Sequence, residues 1–329
     1  MSEKILIKAE QFDNEWNMPG IEVDADYSDV TVIIPAFYPE HLSDVLNHLI
    51  KYSGTAEIIV VDDSGDEAND TLKIGSISDK IKIIKHNKNY GRSETRNTGV
   101  AYASGKIIVF LDQDMFVAPN FFETMFNYFK TNDSLIFMGI RDTVEFGNIP
   151  SVENWMSSCK YMDWRVKTKC LNSMIDLTIS CTGNINNHTC ENKEISILKE
   201  TNCLRQLGIK KEKTIGFWDL PCMVISHSMA MKKNDILRIG GFPEWIIGWG
   251  GEDIAMGFLA CAANIPIVLS ENCISYQVRH KPYSGSEQRK YLELIENIKK
   301  YKRWASGLED FPKFNYTGAI KRITIKDKL

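Results

Sequence analysis

The stretch "FLDQDMF" (110–116) places two carboxylates, Asp112 and Asp114, two positions apart just past an apolar run. With an extended backbone they point to the same side, and two anions that close repel unless a cation neutralises them. A hard divalent ion does this, taking one or two carboxylates together with substrate phosphate oxygens. The plain alternative is a turn with solvated aspartates. A second acid pair, Asp62 and Asp63 in "VVDDSGD" (60–66), either caps a turn or accepts hydrogen bonds from a nucleotide base or ribose. In "NKNYGRSETRN" (87–97) a glycine turn, a helix start and the arginines Arg92 and Arg96 suit phosphate. An ordinary loop-to-helix junction looks much the same. The most unusual stretch is "IGGFPEWIIGWGGED" (239–253), with five glycines, two tryptophans and a proline around Glu252 and Asp253. Trp249 offers a flat apolar face for a sugar ring, and the pair Gly250–Gly251 lets backbone approach a diphosphate and lets the loop move. The plain alternative is a Gly-rich turn that opens a helix, with both acids favourable in its first turn.

These residues need elements to position them. "VTVIIP" (30–35), "EIIVVDD" (57–63), "KIKIIKH" (80–86) and "GKIIVFLDQD" (105–114) read as strands, apolar almost throughout. Residues 40–51 put Leu42, Val45, Leu46, Leu49 and Ile50 on one helical face, and a second helix is expected from about Ser93, as its N-cap, to Ala103. Strands alternating with helices at this spacing predict a parallel sheet with right-handed crossovers, covered on both faces. Ligands then bind beyond the carboxyl ends of the strands, where Asp62, Asp63, Asp112 and Asp114 fall. After "LIFMGIR" (135–141) the pattern breaks, and residues 145–215 read as a variable insertion with a helix near 153–167. Regularity returns with "CMVISHSMAMKK" (222–233), a helix at about 252–263, apolar segments at 266–270 and 273–278, and a lysine-rich amphipathic helix over 287–304.

Composition narrows the class. The chain has 329 residues, 43% hydrophobic and 25% charged, with a net charge of −4, which argues against a nucleic-acid partner. No apolar run nears the roughly 18–20 residues of a membrane span, and "MSEKILIKAEQFDNEW" lacks a secretory signal pattern. A cytoplasmic protein is expected. Its eight cysteines contain no CxxC pair; Cys222, Cys261 and Cys273 sit in apolar runs and read as buried thiols. The five between 159 and 203, near His188, lack the spacing of a zinc ribbon or finger.

Taken in order, "VTVIIPAFYPE", "IIVVDDSGD" and "NYGRSETRNTGVAYASGKIIVFLDQD" resemble the nucleotide-binding half of the GT-A glycosyltransferases, particularly the family-2 type, over about residues 29–115. "GFPEWIIGWGGED" is similar to the corresponding segment of the β-1,4-galactosyltransferases and bacterial chondroitin-type polymerases, and "VRH" (278–280) follows where those enzymes place a metal-binding histidine. The resemblance implies an α/β GT-A fold, Rossmann-like, its mostly parallel sheet flanked by helices. It implies metal-dependent, inverting transfer of a hexose (Gal, GalNAc, Glc or GlcNAc) from a UDP-sugar. Asp253 would be the general base, positioned despite an ordinary pKa near 4, and Glu252 would hydrogen-bond the acceptor or donor sugar. Pro35, Ala36 and Tyr38 would line uracil and ribose, Asp63 would accept from the uracil ring nitrogen, and Arg96 would lie against the base or phosphates. Asp114 would bind the metal and Asp112 the ribose or the metal's water shell. His280 adds an imidazole that suits manganese better than magnesium. Where some of these enzymes use a metal-binding methionine this chain has Gln277, and Pro243 stands where family-2 enzymes often carry an aspartate. The anchor and disulfides of golgi-type galactosyltransferases are not seen. His227 reads as a packing residue and stays outside the site.

The expected organisation is an N-terminal extension (1–28), a GT-A domain (29–286) and a C-terminal helix with basic tail (287–329). Within the domain, 29–115 is the nucleotide-binding half and 222–286 the acceptor and catalytic half. A nucleotidyltransferase would want a glycine-rich, lysine-bearing loop after the first strand, and "PAFYPEH" is neither. A dehydrogenase would want GxGxxG. A non-catalytic sugar-nucleotide or glycan-binding module would tolerate loss of Asp114, Asp253 or His280. The acceptor is expected to be a glycan or surface polysaccharide, with a peptide or protein as the alternative. The basic terminus is either a solvated face or a peripheral contact with an anionic membrane.

Overall fold

The apolar runs of the first half become parallel strands: β1 (Val30–Ala36), β2 (Glu57–Asp62), β3 (Ile81–Lys85) and β4 (Ile107–Leu111). The computed structural model describes residues 25–39, 41–65, 78–144, 224–263, 265, 267–278 and 287–305. The expected insertion with its cysteines and the helix near 153–167, as well as Cys222, His280 and the basic tail, lie outside the described residues. Helix α1 (Leu42–Tyr52) joins β1 to β2, and α2 (Arg92–Tyr102) joins β3 to β4. Further along come β5 (Met115–Val117), α3 (Phe121–Thr131), β6 (Ile136–Val144), β7 (Ser228–Lys232), α4 (Lys233–Ile239), α5 (Glu252–Ala262), β8 (Ile267–Val278) and α6 (Glu287–Ala305).

The strands form one sheet in the order β3-β2-β1-β4-β7-β6-β8-β5. The first-half strands pair in parallel, and so do β6 and β8. β7 runs antiparallel to both β4 and β6, and β5 antiparallel to β8. The expected parallel character thus holds for most pairings, and β7 and β5 are the strands that run against it. The two apolar segments read separately at 266–270 and 273–278 are one strand, β8. Its pairing with β6 slips from Gly139↔Ser270 to Ile140↔Ile274, so β8 carries extra residues there as a bulge.

Alternation along the strands builds a core on each face. Val30, Val32, Ile34, Ile58, Val60, Val109 and Leu111 face α1 and α3, whose Leu46, Leu49, Phe121, Phe122 and Met125 are fully or almost fully buried. Ile33, Ile59, Val61, Ile108 and Phe110 face the other way, against Val100 of α2, Ile236 of α4 and Met256 of α5. Tyr27 belongs to the first core, with its ring 5.9 Å from Phe122 and 5.4 Å from Phe126, so the body begins a few residues before Val30.

The chain runs outward from β1 to β2 and β3 and then crosses back to β4 on the other side of β1, so the strand order reverses between β1 and β4. A crevice opens at the carboxyl ends of these strands. Every acid expected to meet a ligand in the first half lies at this end.

Candidate active site

The rim of the crevice is tied together by α2. Its sequence, RSETRNTGVAY, reads as polar, yet Ser93 through Val100 are buried except Glu94. Burial of polar side chains requires partners, and α2 finds them on other segments. Asn97 makes a paired amide contact with Phe242, donating from Nδ2 to the carbonyl (2.8 Å) and accepting from the Phe242 N–H at Oδ1 (2.8 Å). It also donates to Glu244 Oε1 at 3.1 Å. This fixes the GFPE turn against the nucleotide-binding half. The expected Ser93 cap is not formed: the helix begins at Arg92 with Gly91 in the cap position and no side-chain cap bond. The reason lies on β2. Asp63 reaches across and accepts from the Tyr90 N–H (2.8 Å), the Gly91 N–H (2.8 Å) and His86 Nδ1 (2.7 Å), so a distant carboxylate satisfies the turn.

Asp63, proposed from the resemblance to read uracil, is therefore also the buttress of the loop before α2. Pro35 and Ala36 close β1, and Tyr38 follows with φ 43°, a conformation uncommon outside glycine. Two contacts hold it: the Tyr38 N–H donates to Ser64 Oγ (2.8 Å), and Gln113 brackets Phe37. Gln113 accepts from the Phe37 N–H (2.7 Å) and donates to the Phe37 carbonyl (3.2 Å). The middle residue of "DQD", passed over in the sequence, thus joins the base-side loop to the acidic turn.

The acidic turn departs from the extended geometry used to place both carboxylates on one side. The Met115 N–H donates to the Asp112 carbonyl at 3.1 Å, closing a turn. Asp112 then pairs with Arg96 (3.2 Å), whereas buried Asp114 accepts from Gln277 Nε2 (2.8 Å). Gln277 is oriented in turn by Arg141 Nη1 at 2.9 Å. The residue that replaces a methionine ligand in the resembled enzymes here aims a carboxylate, the kind of outer support that metal-binding groups use. The Val278 N–H donates to the Asp114 carbonyl (2.9 Å), so β8 delivers the chain next to Asp114 just before His280. Among the described residues no group of three or more His, Cys, Asp or Glu is gathered as a metal cage. A buried, amide-oriented carboxylate that leaves the other positions to phosphate oxygens fits magnesium or manganese.

Arg96 is the centre of the site. It is 3% exposed, and its guanidinium bridges Asp112 and Glu252 Oε1 (3.1 Å), with its Cζ 5.2 Å from the centroid of the Phe242 ring. It was expected against the base or phosphates; the structure engages it between the two acidic motifs. Arg92 stands at the mouth, 3.9 Å from Glu252 Oε1 and 6.0 Å from the Trp249 ring centroid. Among the described residues, Arg96 Nε and Glu252 Oε2 are buried without a hydrogen-bond partner, unmet capacity of the kind a bound ligand satisfies.

The neighbouring acids of α5 titrate apart. Burial disfavours charge on Glu252, but Arg92 and Arg96 outweigh it and hold this carboxyl below the usual range. Asp253 is pushed up to about 7, first by burial and then by the charge of Glu252, with Arg96 pulling the other way. A carboxylate poised near neutrality is a far better proton acceptor.

The glycines of the tryptophan loop also acquire a reason. Gly248, Gly250 and Gly251 have φ of 86°, 79° and 95°, which other residues rarely adopt. A Cβ on Gly250 would sit 2.9 Å from Leu294 Cδ1, and one on Gly251 3.2 Å from Asn297 Cβ, both in α6. His227 is buried at the start of β7, its backbone carbonyl accepting from the Asp112 N–H at 3.3 Å and its Nδ1 2.9 Å from Ser228 Oγ.

A doubly covered sheet with acids gathered at its topological switch is an architecture that binds ligands at the strand ends, and comparison with known proteins narrows the class. Residues 31–190 match the model of "Glycosyl transferase family 2", and residues 224–280 that of the "N-terminal domain of galactosyltransferase". The poly(ribitol-phosphate) beta-N-acetylglucosaminyltransferase TarP of Staphylococcus aureus is 31% identical over 117 residues, 33% of this chain and 36% of that protein. Validoxylamine A glucosyltransferase of Streptomyces hygroscopicus subsp. limoneus is 22% identical over 263 residues, 77% of this chain and 52% of that protein. The matches thus span about a third of the length of the first relative and about half of the second. In fold it is similar to GalNAc-T7 crystallised with UDP, GalNAc and Mn2+ (TM-score 0.52, 14% identity, 84% of this chain and 50% of that one). The chain thus carries a segment similar to family-2 glycosyltransferases followed by one similar to galactosyltransferases, on a fold similar to that of GalNAc-T7.

Proposed function

We propose that the protein transfers a hexose from a UDP-sugar to a glycan hydroxyl, with inversion at the anomeric carbon. The observation that carries this reading is the buried Arg96 bridge, which brings Glu252, beside Asp253 at the start of α5, against Asp112 at the end of β4. Asp253 takes the proton of the acceptor hydroxyl as that oxygen bonds to the anomeric carbon. The bond from that carbon to the diphosphate oxygen breaks, and UDP leaves with the electron pair. Glu252 and Trp249 orient the sugars, and Pro35, Ala36, Tyr38 and Asp63 frame the nucleoside. Arg96, with Arg92, keeps Glu252 ionised and also pairs with Asp112 at the centre. Asp114, with His280 and the diphosphate oxygens, would hold manganese or magnesium, which supplies Lewis-acid stabilisation of the leaving diphosphate.

A glycan acceptor is favoured over a peptide by the company the chain keeps, since TarP is named for adding N-acetylglucosamine to poly(ribitol-phosphate). A cytoplasmic enzyme working at the inner membrane face, where lipid-linked acceptors lie, is part of the same proposal.

The test is UDP release from UDP-Gal, UDP-Glc, UDP-GalNAc and UDP-GlcNAc, with and without manganese. Manganese-dependent release from one donor is expected and would identify the sugar. No release from any donor, together with no manganese-dependent UDP binding by calorimetry, would sink the reading in favour of a binding module.

A further inference from the structure

The tryptophan loop is held by a helix that lies beyond both family-matched segments. Helix α6 looks like a solvated lysine-rich face: Arg289 pairs with Glu293, and Lys299 with Glu296. One residue breaks that pattern. Asn297 is 1% exposed on a helix whose neighbours at Glu296 and Lys299 are open to solvent. Its Nδ2 donates to the carbonyls of Gly250 (2.8 Å) and Ile247 (3.1 Å), and that of Trp249 lies at 3.5 Å. One turn earlier, Glu293 Oε2 accepts from the Trp249 N–H at 2.9 Å. Glu293 is kept ionised chiefly by its hydrogen bond from Arg289, which lowers its pKa, and the Trp249 amide contributes in the same direction.

The loop has no regular structure of its own to fix it, and its glycines raise the entropy it loses on ordering. Both their positive φ values and their lack of a Cβ are required by the closeness of α6. The loop runs straight into α5, where the Gly251 carbonyl accepts from the Ala255 N–H at 3.0 Å. Where α6 sets Gly251, it also sets Glu252 and Asp253.

We propose that Asn297 and Glu293 are positioning residues for glycosyl transfer, latching the Trp249 loop so that the sugar platform and the α5 carboxylates stand in register with the donor. This rests on reading the crevice as the transfer site. Asn297 makes its hydrogen bonds to the Trp249 loop alone, and Glu293 reaches the nucleotide-binding half only through the charge of Arg92, so their effect falls on turnover more than on nucleotide affinity.

The test compares wild type with Asn297→Ala, Asn297→Asp (same size, no donor) and Glu293→Gln in the full chain. Hydrogen exchange across 246–252 should speed up about tenfold in Asn297→Ala and Asn297→Asp, with exchange in β1 and β4 unchanged as a check on folding. The kcat for UDP release from the donor that wild type uses should fall about tenfold, while manganese-dependent UDP affinity and the donor KM stay within about twofold. Unchanged exchange in 246–252 overturns the latch. Faster exchange with wild-type kcat overturns its role in transfer, and so does wild-type behaviour of Asn297→Asp, which would reduce the contact to packing. If wild type neither releases UDP from any donor nor binds it in a manganese-dependent way, the transfer reading fails and the positioning role with it, while the exchange data still report separately whether α6 holds the loop.

Discussion

Adjacent carboxylates in one sequence motif do different work because their surroundings differ. Glu252 faces two guanidiniums, whereas Asp253 faces burial and the charge of Glu252. If Asp253 is the base, turnover needs its deprotonated form, so UDP release should rise with pH and level off above about 7. Glu252→Gln removes the like charge that raises Asp253, so its acid limb should move to lower pH even as turnover falls; a limb that stays put would separate the two residues. Asp253→Asn should keep manganese-dependent UDP affinity and cut kcat by about 10² to 10⁴, read by the same release assay. The identities of these residues were legible in the sequence because their motif is dense and unusual. Their split was not, because it depends on Arg96, 156 positions away from Glu252. Gln113, Asn97 and Asn297 were missed for a related reason: a neutral amide carries no chemical signature until its backbone partners are known.

The strands of the first half could be read directly, since burial on both faces leaves continuous apolar runs. Helix α3 was overlooked although Phe121, Phe122, Met125 and Phe129 mark its buried face, and α4 was hidden behind the apolar run that forms β7. Helix α2 was expected, but its polar sequence concealed that it is buried. Its Gly99 shows how close it lies: a Cβ there would come within 2.4 Å of Ile33 Cγ2 on β1. Gly99→Ala should therefore destabilise the fold by about 1–3 kcal/mol through overpacking, despite the better helix propensity of alanine. Denaturant unfolding would measure it, and a gain in stability would mean that α2 can shift without loss.

Across the molecule, the two family-matched segments share one sheet, and the buried Arg96 bridge ties the acidic motif of one to that of the other. Arg96→Met would leave the Glu252 carboxylate buried without its main counter-charge, a change that costs about 3–5 kcal/mol when a buried pair is broken. Lower stability together with lost UDP release is expected; stability unchanged in urea unfolding would show that water replaces the arginine. The mixed sheet itself could not be read locally, because β7 returns only after the insertion at 145–215 and nothing in its short sequence states a direction.

The bulge in β8 makes the metal end of the site a matter of counting. Between Ser270 and Ile274 the strand spends residues that β6 does not match, and beyond that point every residue of β8 keeps a fixed phase relative to Asp114. Side chains alternate between faces with each step, so removing one residue from 271–273 would carry Gln277 off the face that meets Asp114 and alter the approach of the following histidine. If Asp114 holds the proposed cation, the length of this short interval sets whether the amide that aims it is on the right face, a constraint on counting and not on residue type.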